Sequence, residues 1–187
     1  MVLKMTGRVY KFFEKVTLGV FLILAFWSCT SEQDGNPSGE LAALDLFDQS
    51  YGSKSTQVLD VYLPASRSIQ DTPLLIYIHG GAWIDGSKDE FKQFRTSLST
   101  ALPNYAFVSI NYSLYDLGSG TNNFPTQEND VIEAITYVLS KTDEWNISDT
   151  IILAGASAGG HLALLHAYKH ESVGNIKAVV AFSLQLI

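Results

Sequence analysis

One stretch narrows the folds open to this chain more than any other: residues 151–168, IILAGASAGGHLALLHAY. It opens as a short apolar run, as in a strand buried on both faces. It closes as a helix former rich in Leu and Ala. Between the two stands Gly155-Ala156-Ser157-Ala158-Gly159. A strand that becomes a helix within so few residues holds the residue at the bend in a strained backbone conformation. Side chains two positions to either side would collide there, so Gly155 and Gly159 carry hydrogen only. The bend leaves Ser157 projecting at the C-terminal end of a strand. The following helix N-terminus brings free amide N–H groups and a partial positive charge to the same point.

The rest of the body alternates in the same way. Val58–Leu63 (VLDVYL) ends at Pro64 and reads as an early, outer strand, and Leu74–Ile78 (LLIYI) as a strand apolar on both faces. Lys88–Leu102 is predicted helical, with Phe91, Phe94, Leu98 and Leu102 on one side. Tyr105–Ile110 is the next strand. Thr126–Ser140 is a helix with Val131, Ile135, Val138 and Leu139 inward, and Pro125 stands near its start. Ile151–Leu153, Ala158–Tyr168 and Ala178–Leu184 complete the series as strand, helix and strand. This order predicts an α/β fold with a doubly wound, mostly parallel sheet.

A second motif, His79-Gly80-Gly81-Ala82-Trp83, follows directly after the strand at 74–78. Gly80 and Gly81 let the backbone approach a bound group with no Cβ between. Two short motifs, each at the C-terminal end of a predicted strand and in this order, are far harder to obtain by accident than either alone. HGGAW, then NYSL, FPTQENDV and GASAGGHLAL, resemble the hormonesensitive-lipase-like and feruloyl-esterase-like branch of the α/β-hydrolases from about Val58 onward. The resemblance implies a serine hydrolase acting on carboxylic esters of the acetyl, feruloyl or carboxylesterase type, with Ser157 as the catalytic nucleophile of an acyl-enzyme. It implies an oxyanion hole made by the N–H of Ala158 and one N–H from Gly80 or Gly81, and it implies no cofactor and no metal. The branch also contains amidases and peptidases, which stay open as alternatives within the fold. Ser113 departs from the family, which usually carries arginine after the tyrosine at this place.

Other candidates read as structural. His79 is expected to fix the glycine loop rather than act as a base. His161, His166 and His170, on the helix after Ser157, are expected to be packing or surface residues, and Asp130 a local structural carboxylate. Trp83 is equally readable as acyl-pocket lining or as core. Asp85 and Asp89 lack metal spacing.

The ends of the chain carry their own readings. Lys4, Arg8, Lys11 and Lys15 precede an uncharged apolar run, VTLGVFLILAFW, too short to span a bilayer. Ser28-Cys29 follows it. Residues 1–28 therefore read as a lipoprotein-type signal peptide with lipidation at Cys29. Residues 29–45 read as a flexible tether, and 46–187 as the N-terminal part of an α/β-hydrolase domain. The expected location is the cell envelope, held to the membrane by the lipid anchor and facing outward, with a small-molecule or polysaccharide-linked ester as substrate. Without residues 1–28 the balance is 8 basic to 18 acidic residues. Such a surface repels phosphate backbones and argues against nucleic acid as a partner. Cys29 is the single cysteine, which excludes a disulfide framework within the chain. In this fold the triad runs Ser, then Asp or Glu, then His. After Ser157 the one acid is Glu171, and no histidine follows it. The sequence thus predicts a chain without its triad acid and base, inactive alone. A non-catalytic lipoprotein or a decayed fragment of such a hydrolase is the rival reading.

Overall fold

The computed structural model describes residues 40–170 and 173–182. The leader, Cys29, most of the tether, Glu171 and the last five residues lie outside them. Six strands form one sheet in the order β1-β2-β4-β3-β5-β6: β1 Leu44–Ser50, β2 Val58–Leu63, β3 Leu74–Ile78, β4 Ala106–Ile110, β5 Thr150–Ala156 and β6 Asn175–Phe182. Strands β4, β3, β5 and β6 are parallel, while β1 and β2 add on antiparallel at one side. The helices are α1 Lys92–Ala101, α2 Thr126–Ser140, the single turn α3 Thr142–Trp145, and α4 Ala158–Lys169.

The sheet has two apolar faces because alternate residues of a strand point to opposite sides. Leu74, Ile76 and Ile78 of β3 join Val108, Ile110, Leu153, Ile135 and Leu162 in the larger core, under α2 and α4. Leu75 and Tyr77 face the other way and meet Phe91, Phe107, Leu98 and Leu102 beneath α1. Chain order explains the division. From β3 the chain moves outward to β4 by way of α1. It then returns past β3 to β5 by way of α2, and right-handed crossovers in opposite directions place their helices on opposite faces. The reversal opens a crevice beyond the carboxyl ends of β3 and β5, the place where open α/β sheets hold their ligands.

Several sequence boundaries move. β1 includes Leu44 and Asp45, which the sequence reading left in the tether, and the strand itself was not anticipated. Residues 88–102 are not one helix: a 3₁₀ turn at Lys88–Phe91 precedes α1. Phe94 is exposed rather than packed inward. β5 is longer than Ile151–Leu153, and the last strand starts earlier, at Asn175. The helix at 126–140 has the predicted limits, with Val131, Ile135 and Val138 buried and Leu139 packed against the core.

Candidate active site

Ser157 sits at the junction of β5 and α4 with φ 54° and ψ −122°. A positive φ is costly for any residue but glycine. The helix that follows holds it, through the His161 N–H donated to the Ser157 carbonyl at 3.0 Å. The flanking glycines are required by contact. A Cβ on Gly155 would strike the backbone of Gly159, and one on Gly159 would strike the carbonyls of Ile78 and His79. The second clash also shows that the two sequence motifs touch. Gly80 lies against the bend itself: a Cβ there would stand 3.1 Å from the Ala156 carbonyl oxygen and 3.4 Å from Ser157 Cβ.

The glycine loop after β3 is wound tightly. Gly81, Ala82 and Trp83 have φ of 99°, 51° and 64°. The Gly81 carbonyl accepts the N–H groups of Ile84 and Asp85, both at 3.0 Å. The ring of His79 is buried and stacked on Tyr112 at 4.2 Å, with Nδ1 2.8 Å from the Gly80 carbonyl oxygen. The Tyr112 hydroxyl donates to the carbonyls of His79 (3.2 Å) and Gly80 (3.1 Å). Burial pushes the His79 imidazole below its ordinary range, and the Gly80 bond and nearby Glu90 and Asp85 only partly offset it. A neutral ring with the proton on Nδ1 fits the Gly80 contact. On the other side the Gly80 N–H donates to Glu90 Oε2 at 3.3 Å.

Tyr112 is held by its neighbours. The Tyr51 hydroxyl donates to the Asn111 carbonyl at 2.6 Å. Asp130, buried in α2, accepts the Ser113 N–H at 2.7 Å, Gln57 Nε2 at 2.9 Å and Lys54 Nζ at 3.0 Å. Lys54 Nζ also reaches Ser113 Oγ at 3.4 Å. A lysine from the loop before β2 thus stands beside Ser113.

Beside the loop opens a cavity of about 500 Å³ lined by Ala82, Trp83, Ile84, Tyr115, Phe124, Gln127 and His161. Trp83 is 38% exposed, so it is a wall of this cavity and not core. His161 meets it edge-on at 5.5 Å. The other two histidines of α4 lie elsewhere. His166 is buried with Nε2 3.4 Å from the Val173 carbonyl oxygen, and His170 is 2.9 Å from Glu128 Oε1, which also binds Lys169. Among the described residues no histidine side chain is hydrogen-bonded to the Ser157 hydroxyl, and no cluster of three or more His, Cys, Asp or Glu could hold a metal ion.

Sequence reasoning placed Ser157, both glycines of the bend and the His79 loop. It passed over Glu90 and Tyr112, which hydrogen-bond Gly80 from a distance in sequence, and Lys54, which binds Ser113 and Asp130. Only the NYSL segment hinted at one of them.

The sequence model of the BD-FAE family matches residues 59–183. The chain belongs to the BD-FAE family. This places it in an esterase branch of the α/β-hydrolases. The BD-FAE chain is 34% identical over 120 residues to a kynurenine formamidase of Danio rerio, covering 64% of this chain and 38% of the relative. It is 30% identical over 116 residues to the esterase LipC of Mycobacterium tuberculosis, covering 62% and 28%. A solved truncated form of a carbohydrate esterase from gut microbiota superposes with a TM-score of 0.54 at 28% identity, covering 65% of this chain and 42% of that one. The BD-FAE chain therefore spans less than half the length of each of these three proteins.

Proposed function

We propose that this chain supplies the nucleophile and oxyanion hole of a serine esterase that works through an acyl-enzyme on Ser157. The observation that carries the reading is the contact between the two motifs: Gly80 rests on Ser157, and Gly159 leaves no room even for a methyl group against the His79 carbonyl. An ester carbonyl carbon at Ser157 Oγ would have its oxygen between the loop amides and the first amides of α4. Ala158 N–H is one donor. Of the two loop glycines, Gly81 is the other, because the Gly80 N–H is directed at Glu90. Such donors contribute a few kcal/mol each to the tetrahedral intermediate. The serine proton passes to a histidine oriented by an acid.

The cavity beside the loop suits the substrate's flat or apolar portion, with Trp83, Tyr115 and Phe124 as walls. The likeness to a carbohydrate esterase supports an ester carried on a saccharide. The leader supports an envelope location with Cys29 lipidated. Turnover of a short-chain aryl ester by the full-length protein tests the core of this reading. Ser157→Ala is expected to lower kcat by at least 10³-fold with the fold intact, and a variant keeping more than a tenth of the activity removes Ser157 from the mechanism. Assaying the matching anilide alongside separates esterase from amidase.

A further inference from the structure

Of the six backbone N–H and C=O groups of His79, Gly80 and Gly81, four have hydrogen-bond partners in the structure. The His79 and Gly80 carbonyls accept from Tyr112, and the Gly80 carbonyl also meets the His79 ring. The Gly81 carbonyl accepts from Ile84 and Asp85. The Gly80 N–H donates to Glu90. Of the two loop-glycine amides, this leaves the Gly81 N–H without a hydrogen-bond partner among the described residues.

Among the described residues, Glu90 is the one side chain that accepts from an amide of this stretch. It lies on the 3₁₀ turn at 88–91, whose own position is set by the Lys88 N–H donated to Asn111 Oδ1 at 2.6 Å and by the Ser109 hydroxyl on the Lys88 carbonyl at 2.7 Å. One oxygen of Glu90, Oε2, accepts both the Gly80 N–H and the Tyr77 hydroxyl, each at 3.3 Å. The loop folds back over the other oxygen. A Cβ on Gly86 would stand 3.0 Å from Glu90 Oε1, 2.8 Å from the Gly80 carbonyl oxygen and 2.6 Å from His79 Nδ1.

We propose that Glu90 is a positioning residue of the oxyanion loop: by holding the Gly80 N–H it fixes the 79–80 peptide, against which the next peptide, held by its carbonyl, is set so that Gly81, and not Gly80, presents its N–H to the substrate. The proposal rests on the Ser157 reading for its chemical meaning, but not for its geometry. Two rigid peptide planes meet at the Gly80 Cα: Glu90 holds the first by the Gly80 N–H, Tyr112 and the His79 ring hold the second by the Gly80 carbonyl, and the Gly81 N–H, in that second plane, is left one direction. The negative charge is not what the loop needs. A carboxylate this close opposes the oxyanion that forms, and its field already reaches the neighbours: after burial, it is the next influence raising the Tyr77 hydroxyl to about 12. The required property is an acceptor atom at the right reach.

Two variants of the full-length protein separate reach from charge. Glu90→Gln keeps a carbonyl oxygen at the same distance and loses the charge. Glu90→Asp keeps the charge and draws the oxygen back by one methylene. Amide hydrogen exchange in the peptide spanning 79–86 is read first, because it does not depend on turnover. Glu90→Asp is expected to exchange at least tenfold faster there, with Glu90→Gln within twofold of the wild type. In aryl-ester hydrolysis Glu90→Asp then lowers kcat at least tenfold with KM within twofold, and Glu90→Gln restores it. Unchanged exchange in Glu90→Asp overturns the proposal. So does a Glu90→Gln protein that exchanges or turns over like Glu90→Asp. If wild type and Ser157→Ala hydrolyse the ester equally, the esterase reading fails, while the exchange result still decides whether Glu90 holds the loop.

Discussion

At Gly159 two ordinary preferences oppose one another. Alanine in place of a helical glycine usually gains about 1 kcal/mol. Here the new methyl would drive into the carbonyls of Ile78 and His79, which are fixed by the sheet and by Tyr112. Overpacking of this kind costs about 1–3 kcal/mol or more, so Gly159→Ala is expected to destabilise the protein by about 2 kcal/mol in urea unfolding; a stabilised variant would show that the bend is looser than described. Gly81 is constrained twice, by φ 99° and by the Asp85 carbonyl lying where a Cβ would go. Gly81→Val is therefore expected to lower kcat far more than it raises KM, because the displaced donor matters most in the transition state. A raised KM at unchanged kcat would count against the Gly81 assignment. Cys29→Ala, compared with the wild type under metabolic labelling with a fatty-acid analogue, is expected to lose the label; equal labelling would end the lipoprotein reading.

Between elements, the segment after β4 is a junction on which the loop depends. Asp130 joins α2 to the Ser113 amide, to Gln57 and to Lys54. Removing the carboxylate strands buried donors on two other segments, at a cost of about 3 kcal/mol. Asp130→Ala is accordingly expected to lower unfolding stability by that order, and a loss below about 1 kcal/mol would mean that the donors find other partners. The junction also shows what was legible in the sequence. Periodicity placed β2, β3 and the 126–140 helix to the residue, because each is a single apolar face or run bounded by Pro, Gly or polar residues. It missed β1, whose LDLFDQS strand is mostly exposed or half-buried and so carries little pattern. The strand-to-helix bend at Ser157 was legible because its steric needs are written in adjacent residues. Glu90, Tyr112 and Lys54 were not, because their roles exist only once β3, β4 and α2 are side by side.

For the whole molecule, two histidines link stability to pH. Burial lowers His79 and His166 below the ordinary 6.5, and His166 Nδ1 is buried without a hydrogen-bond partner. In the unfolded chain both regain ordinary values. Between 6.5 and the lower folded values the unfolded state then binds more protons, so stability is full above about 6.5 and falls as pH drops through that window. Urea midpoints from pH 8 to 5 are expected to decline most steeply below 6.5, and a flat profile would mean that the rings take up protons while folded. On the other face, Phe94, Val180 and Phe182 are exposed around an apolar hollow of about 560 Å³ between α1 and β6. An apolar surface of this kind should bind an anilinonaphthalene dye, less so in Phe182→Glu.

The pairing of β3 with β5 also bears on how quickly the site can come into being. Ile78 lies opposite Gly155, with α1, β4 and α2 strung out between them along the chain. A large loop must close before the parallel ladder can reward it. The strained turn at Ser157 and the fit of Gly159 under the His79 carbonyl can form only after that closure, on the downhill side of the folding barrier. Gly159→Ala should therefore steepen the escape from the native state and leave the approach to it nearly unchanged. In stopped-flow chevrons the unfolding arm rises while the refolding arm stays in place. A refolding arm that drops in proportion would mean that the turn at Ser157 is already built when the chain crosses the barrier.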